Sequence, residues 1–230
     1  MNSKRQQRIA AAGGFVSVVC GGVAFFLGSA SRLRGDDAAI VAVLRAFGAC
    51  GLLLLVAGAR ELVLRIEEDG EKGRPSETVA TAVGTAGTLC VALELLSVAG
   101  LYMMAIRLDT LARGSSTDAA DIGRFIATVA HVVAGFPGAV FAAAMAVALF
   151  ALGRAATFVG LAGCVAAAAS VLRGFAAYPR TVRELDFVDT SVLFPVRDAT
   201  YTVLSASFGL FVLMLSLLVW LRADPRALHG

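Results

Sequence analysis

Charge is scarce in this chain of 230 residues: Asp, Glu, Lys and Arg make up 16% of it, against about 25% in ordinary soluble domains. Hydrophobic residues make up 58% and the mean hydropathy is +0.81. A soluble domain of this size needs more polar surface, so water is excluded as the solvent for most of the chain. Lysine is rarer still, with only Lys4 and Lys72 among 20 basic residues. Both sit in polar segments, so a retinal Schiff base has no buried amine to form on. Histidine occurs twice, and His229 lies in the C-terminal tail. A b-type haem held by two intramembrane histidines is thereby excluded. The four cysteines, Cys20, Cys50, Cys90 and Cys164, lie in separate apolar runs and form no CxxC. They read as buried small hydrophobes, which excludes a disulfide framework and a zinc site. There is no Gly-x-Ser-Gly of the serine rhomboid type, no HExxH and no glycine-rich phosphate loop. No nucleophile–base pair can be placed in the apolar runs. An enzyme is therefore not expected, and neither a cofactor nor a metal is expected.

Apolar runs recur along the whole length. Six are long enough to cross the hydrocarbon as helices, at about 9–30, 38–63, 79–106, 125–152, 155–172 and 202–221. Without water, each must satisfy its own backbone hydrogen bonds, and a helix does so. The expectation is an all-α, polytopic transmembrane bundle of six helices forming a single membrane domain over 1–230. The first run has a rival reading. "MNSKRQQR" is a positive leader and "GSA" at 28–30 resembles a signal-peptidase site. The run between them exceeds the roughly 7–15 apolar residues of a signal peptide, and it reads as an uncleaved helix.

Arginine outnumbers lysine, and Ala, Gly and Val are abundant, which points to a high-GC bacterial genome. The basic residues flank the apolar runs and do not cluster, so no nucleic-acid partner is expected. The bilayer itself is the expected partner. With the N-terminus inside, ten Lys and Arg residues fall in the inner connections and eight in the outer ones. The basic leader favours the same orientation. The expected location is the bacterial plasma membrane, with both termini cytoplasmic. The connection from Arg60 to Thr78 is charged and turns at Gly70, Gly73 and Pro75. The segment from Gly174 to Tyr201 reads as a long outer loop carrying a short interfacial helix.

Small residues crowd several runs. The fifth, with alanines at 166–169, has little bulk to offer lipid and is expected at the centre of the bundle. The fourth contains "HVVAGFPGAV", where Pro137 should kink the helix near the carbonyl of residue 133.

Three ionisable groups lie inside apolar runs: Arg45 in the second, Glu94 in the third and His131 in the fourth. Such groups are costly in lipid and mark interior or functional positions. At about 1.5 Å per residue, they lie about 12, 20 and 15 Å from the outer ends of their runs. Their similar depth predicts one polar intramembrane cluster, with Glu94 facing inward toward His131 or Arg45. The cluster would serve either as a polar clamp fixing helix registration or as a proton-coupled site.

The order of these features resembles a family of bacterial six-helix integral membrane proteins of unknown function. The matching pieces are "KRQQRIAA" at 4–11, "GDDAA" at 35–39, Glu94, and "HVVAGF" at 131–136. The family tends to carry an arginine three residues before the glutamate, where this chain has Val91. The resemblance implies a six-helix membrane fold and no particular activity. The expected role is a non-enzymatic, partner-binding or structural membrane component, possible partners being another membrane protein or a second copy of the chain. The alternative is a small-molecule or proton-coupled permease using Arg45, Glu94 and His131.

Overall fold

Each apolar run becomes a helix, and the helices overrun the runs. The computed structural model describes residues 3–30, 35–68, 77–111, 118–150, 152, 154–186 and 194–223. They form α1 (Ser3–Ala30), α2 (Gly35–Glu68), α3 (Glu77–Leu111), α4 (Asp118–Phe150), α5 (Arg154–Asp186) and α6 (Phe194–Ala223). All six are long and apolar enough to cross a membrane. The chain is an all-α six-helix bundle. The turn at Gly70, Gly73 and Pro75 lies outside the described residues.

The largest departure from expectation is at the segment 174–201. α5 continues to Asp186 and α6 starts at Phe194, so most of that segment is helix rather than loop. Run length counts only residues that lipid tolerates. A helix stops only where its backbone does, and Arg and Glu are good helix formers. Pro137 lies inside α4, which runs from Asp118 to Phe150.

The topology is a closed ring. Each helix packs on its neighbours in sequence, and α6 returns to pack on α1. α2 leans furthest inward and also touches α4 and α6. In such a ring α2 stands opposite α5, and the α3–α4 pair stands opposite the α6–α1 pair. The fifth helix is not central. α4 is the most buried span at 61%, against 39% for α5. The small residues of α5 do face its neighbours. Its large ones, Phe158, Leu161, Val165 and Leu172, face out, which commits that side to lipid.

The end of the ring that carries the termini is filled. Leu55, Phe141, Met145, Leu149, Phe211 and Leu215 are wholly buried there in one core shared by α2, α4 and α6. Phe141 and Phe211 meet edge-on at 6.2 Å. Small residues set the helix spacing. A side chain at Gly13 would lie 2.7 Å from the Gly51 carbonyl, so α1 and α2 touch backbone to backbone there. On α1 and α6, Gly14 sits against Ser216, and the Arg8 guanidinium lies 5.9 Å from the Trp220 ring centre. The outer surface is apolar: Phe26, Phe47, Val147, Phe158 and Val203 are all more than half exposed. So continuous an apolar exterior is stable in lipid and would aggregate in water.

Candidate functional site

The site grows out of the α3–α4 seam. Residues at i, i+3 and i+4 share a helix face, and along α3 that face carries Cys90, Glu94, Ser97 and Gly100. Gly100 comes first from the end opposite the termini. A side chain there would lie 2.6 Å from both the Ala127 nitrogen and the Gly123 carbonyl, so the two helices are in backbone contact. Next, Ser97 Oγ donates a buried hydrogen bond of 2.9 Å to the Ala127 carbonyl. One turn further, His131 Nδ1 lies 2.9 Å from Glu94 Oε1 and 3.1 Å from Oε2. With the carboxylate ionised, the Nδ1–H is the donor. Cys90, buried, comes last and faces Gly138. The close approach above and below holds the Glu94–His131 pair in register.

This pair is not sealed into a core. Both side chains retain 21% exposure, and what they face is a half-open cavity of about 550 Å³. The cavity occupies the half of the ring opposite the termini, and all six helices contribute to its wall. Arg45, on α2, lines it with Glu94 and His131. The structure therefore gathers all three intramembrane groups around one space. Glu94 and His131 are in direct contact; Arg45 stands off, within electrostatic reach of both. Pro137 lies on the same stretch of α4, between the lining residues Ala134 and Gly138.

A fourth ionisable group joins them. Arg173 lines the cavity from α5 and also reaches Glu94 electrostatically. Its Nη2 passes 3.7 Å from where a side chain would begin at Gly135, one turn from His131. The run-length reading ended the fifth span at Leu172 and assigned Arg173 to the outer loop. A face-based reading would have found it. Ala166 and Ser170 are both buried, and Arg173 follows them on the same face at i+4 and i+7.

Arg45 and Arg173 have no hydrogen bond or ion pair among the described residues. Opposite the α3–α4 seam, Ser205 on α6 presents a buried hydroxyl with no partner among them either. Ser17, Ser170 and Thr202 add polar groups, and most of the rest of the wall is apolar, including Val18, Phe25, Leu52, Phe208 and Leu213. Two guanidiniums thus meet one carboxylate in a mostly apolar chamber, and that carboxylate is already engaged by an imidazole. Such a chamber can take up an anion, and the Glu94–His131 pair can pass a proton between its members.

Of the cysteines, Cys90 is buried, whereas Cys50 and Cys164 are exposed on the ring's outside, contrary to the expectation that all four are buried. Among the described residues no three His, Cys, Asp or Glu side chains gather as metal ligands would. Comparison of the chain with protein-family models, curated proteins and solved structures found no match.

Proposed function

We propose that the protein is a non-enzymatic membrane carrier of the permease type, which binds a small molecule in the half-open cavity and couples its movement to a proton. The observation behind this reading is the cavity itself: a space of about 550 Å³ that reaches Glu94, His131, Arg45 and Arg173. Ligand pockets commonly enclose about 300–1,000 Å³, with apolar walls and a few convergent polar groups. A clamp that only fixed helix registration would be expected in a closed bundle, so the cavity favours the carrier over a purely structural or partner-binding role. The Glu94–His131 pair supplies the proton coupling, because a carboxylate and an imidazole in contact can share or release one proton.

The basic leader, with ten loop cations against eight, supports placement in a bacterial plasma membrane with both termini cytoplasmic. In that orientation the cavity lies in the outer half of the bundle.

The test is movement of a panel of labelled solutes and lipids across proteoliposomes under an imposed pH gradient. Gradient-dependent movement of at least one class, lost in a folded Glu94→Gln variant, is the expected result. Movement that Glu94→Gln leaves unchanged would remove the proton coupling. No movement of any class would remove the carrier reading.

A further inference from the structure

The cavity has a side opening, and its position relative to the two arginines defines a ligand. α1 and α6 are in contact where Gly14 meets Ser216. Seven residues further along α1 is Gly21, and seven residues back along α6 is Gly209. Two helical turns, about 10 Å, separate each from that contact. At Gly21, Gly22 and Gly209 a side chain would meet nothing within 4 Å, and all three line the cavity. α1 and α6 touch at the Gly14–Ser216 level, and two turns beyond it the space beside Gly21 and Gly209 is empty; Phe26 of α1 and Leu210 of α6 line that space and are also exposed, so it reaches the outer surface of the bundle at these two helices. The opening lies within the spans of both helices, so it faces the acyl region of the bilayer. Phe26, 72% exposed, stands beside it.

Charge complements this opening. Arg45 and Arg173 come from α2 and α5, opposite walls of the ring, and neither has a hydrogen bond or ion pair among the described residues. Two guanidinium forks in an apolar chamber need an anion, and Glu94 is held by His131. A carboxylate presents two oxygens in one plane and suits one fork. A phosphate has oxygens disposed tetrahedrally and can be held by two forks from opposite sides. An apolar body attached to that phosphate would lie along Phe25, Phe208 and Leu213 and leave through the side opening.

We infer that the ligand of this cavity is a membrane lipid bearing an anionic phosphate headgroup, bound by Arg45 and Arg173 with its acyl chain passing out between α1 and α6. The inference rests on the carrier reading of the same cavity and names its substrate class.

The test is retention of lipid by the full chain in detergent, read by native mass spectrometry and by thermal stability. The probes are phosphatidylglycerol, phosphatidylcholine and inorganic phosphate. The expected result is retention and stabilisation by phosphatidylglycerol, with phosphatidylcholine weaker by about tenfold or more: it carries the same phosphate, but its fixed choline cation cancels the headgroup charge and is repelled by the two guanidiniums. Arg45→Gln with Arg173→Gln should abolish that preference. Gly209→Leu provides an independent check that leaves the arginines intact. A Cβ at Gly209 meets nothing within 4 Å, so the variant should fold, and the leucine should weaken retention by filling the opening. Equal retention of both lipids, or undiminished phosphatidylglycerol preference in the arginine variant, would overturn the inference. So would a wild-type response in Gly209→Leu, or stabilisation by inorganic phosphate alone that lipid does not exceed, which would mark a soluble anion as the ligand. These readouts measure binding only. Their failure with gradient-driven movement of another solute intact would leave the carrier reading standing. Lipid retention without any transport would remove the carrier reading and keep the lipid site.

Discussion

The two ends of the ring are built from the same six helices and solve opposite problems. At the terminus end, large side chains meet in the middle, and Leu55, Phe211 and Leu215 are wholly buried. At the other end the middle is left open, and the four ionisable cavity residues gather around it. The difference teaches where stability and chemistry reside. Lipid does not drive helices together as water does, so association depends on packing and close backbone approach. The filled end provides that packing. The hollow end can then hold charge and empty space, both of which cost free energy.

That division can be broken most directly by cutting a large side chain from each end. Phe141→Ala at the filled end should cost about 3–5 kcal/mol, because the void cannot collapse within a ring of interlocked helices. Phe208→Ala at the hollow end should cost only about 1–2 kcal/mol, because Phe208 is half-buried and already borders a space. Unfolding of both variants in detergent gives the comparison. Equal losses would mean that the cavity is filled or collapsed in the folded protein and that the two ends do not differ.

A finer test concerns the contact between Glu94 and His131 at the hollow end. A double-mutant cycle with Glu94→Gln and His131→Asn isolates the pair from the separate effects of each change. The expected coupling is about 1–2 kcal/mol, that of a hydrogen bond to a charged group reduced by partial solvation. A coupling indistinguishable from zero would show that water serves each group as well as its partner does.

The smallest expected effect belongs to the Ser97–Ala127 bond between the backbone contact at Gly100 and that pair. Interhelical hydrogen bonds of this kind average about 0.6 kcal/mol in membrane proteins. Ser97→Ala should lower stability by about that amount and leave lipid retention unaltered. A loss of several kcal/mol would show that this contact, rather than the filled end, holds α3 on α4.

The helices were legible in the sequence because length and hydropathy are properties of single segments. Glu94, His131 and Arg45 were legible for the same reason: each is an ionisable residue well inside an apolar run. Arg173 was hidden because run length ends a helix where hydropathy falls, whereas the buried face of α5 continues from Ala166 through Ser170 to Arg173. The cavity was not legible. It depends on glycines of α1 and α6 lying opposite one another across a seam between the first and last helices. Nothing in either segment alone states that they are neighbours. The central position expected for α5 failed for a related reason. Small residues show that a face packs closely but not how many faces do, and Phe158, Leu161 and Val165 keep one side of α5 in lipid.

The order of helices around the ring also bears on how the protein is made. Five of its six seams join helices consecutive in the chain, so each can form once its second helix has entered the bilayer. The seam between α1 and α6 has to wait for the last span to leave the ribosome. Until then the nascent protein is an open arc, with the α1 face around Gly13 and Gly14 exposed and the space beside Arg45 and Arg173 accessible from the bilayer. The last helix to arrive therefore shuts the arc at Gly14 and Ser216 and leaves its upper part ajar, so that the final act of assembly also shapes the entrance.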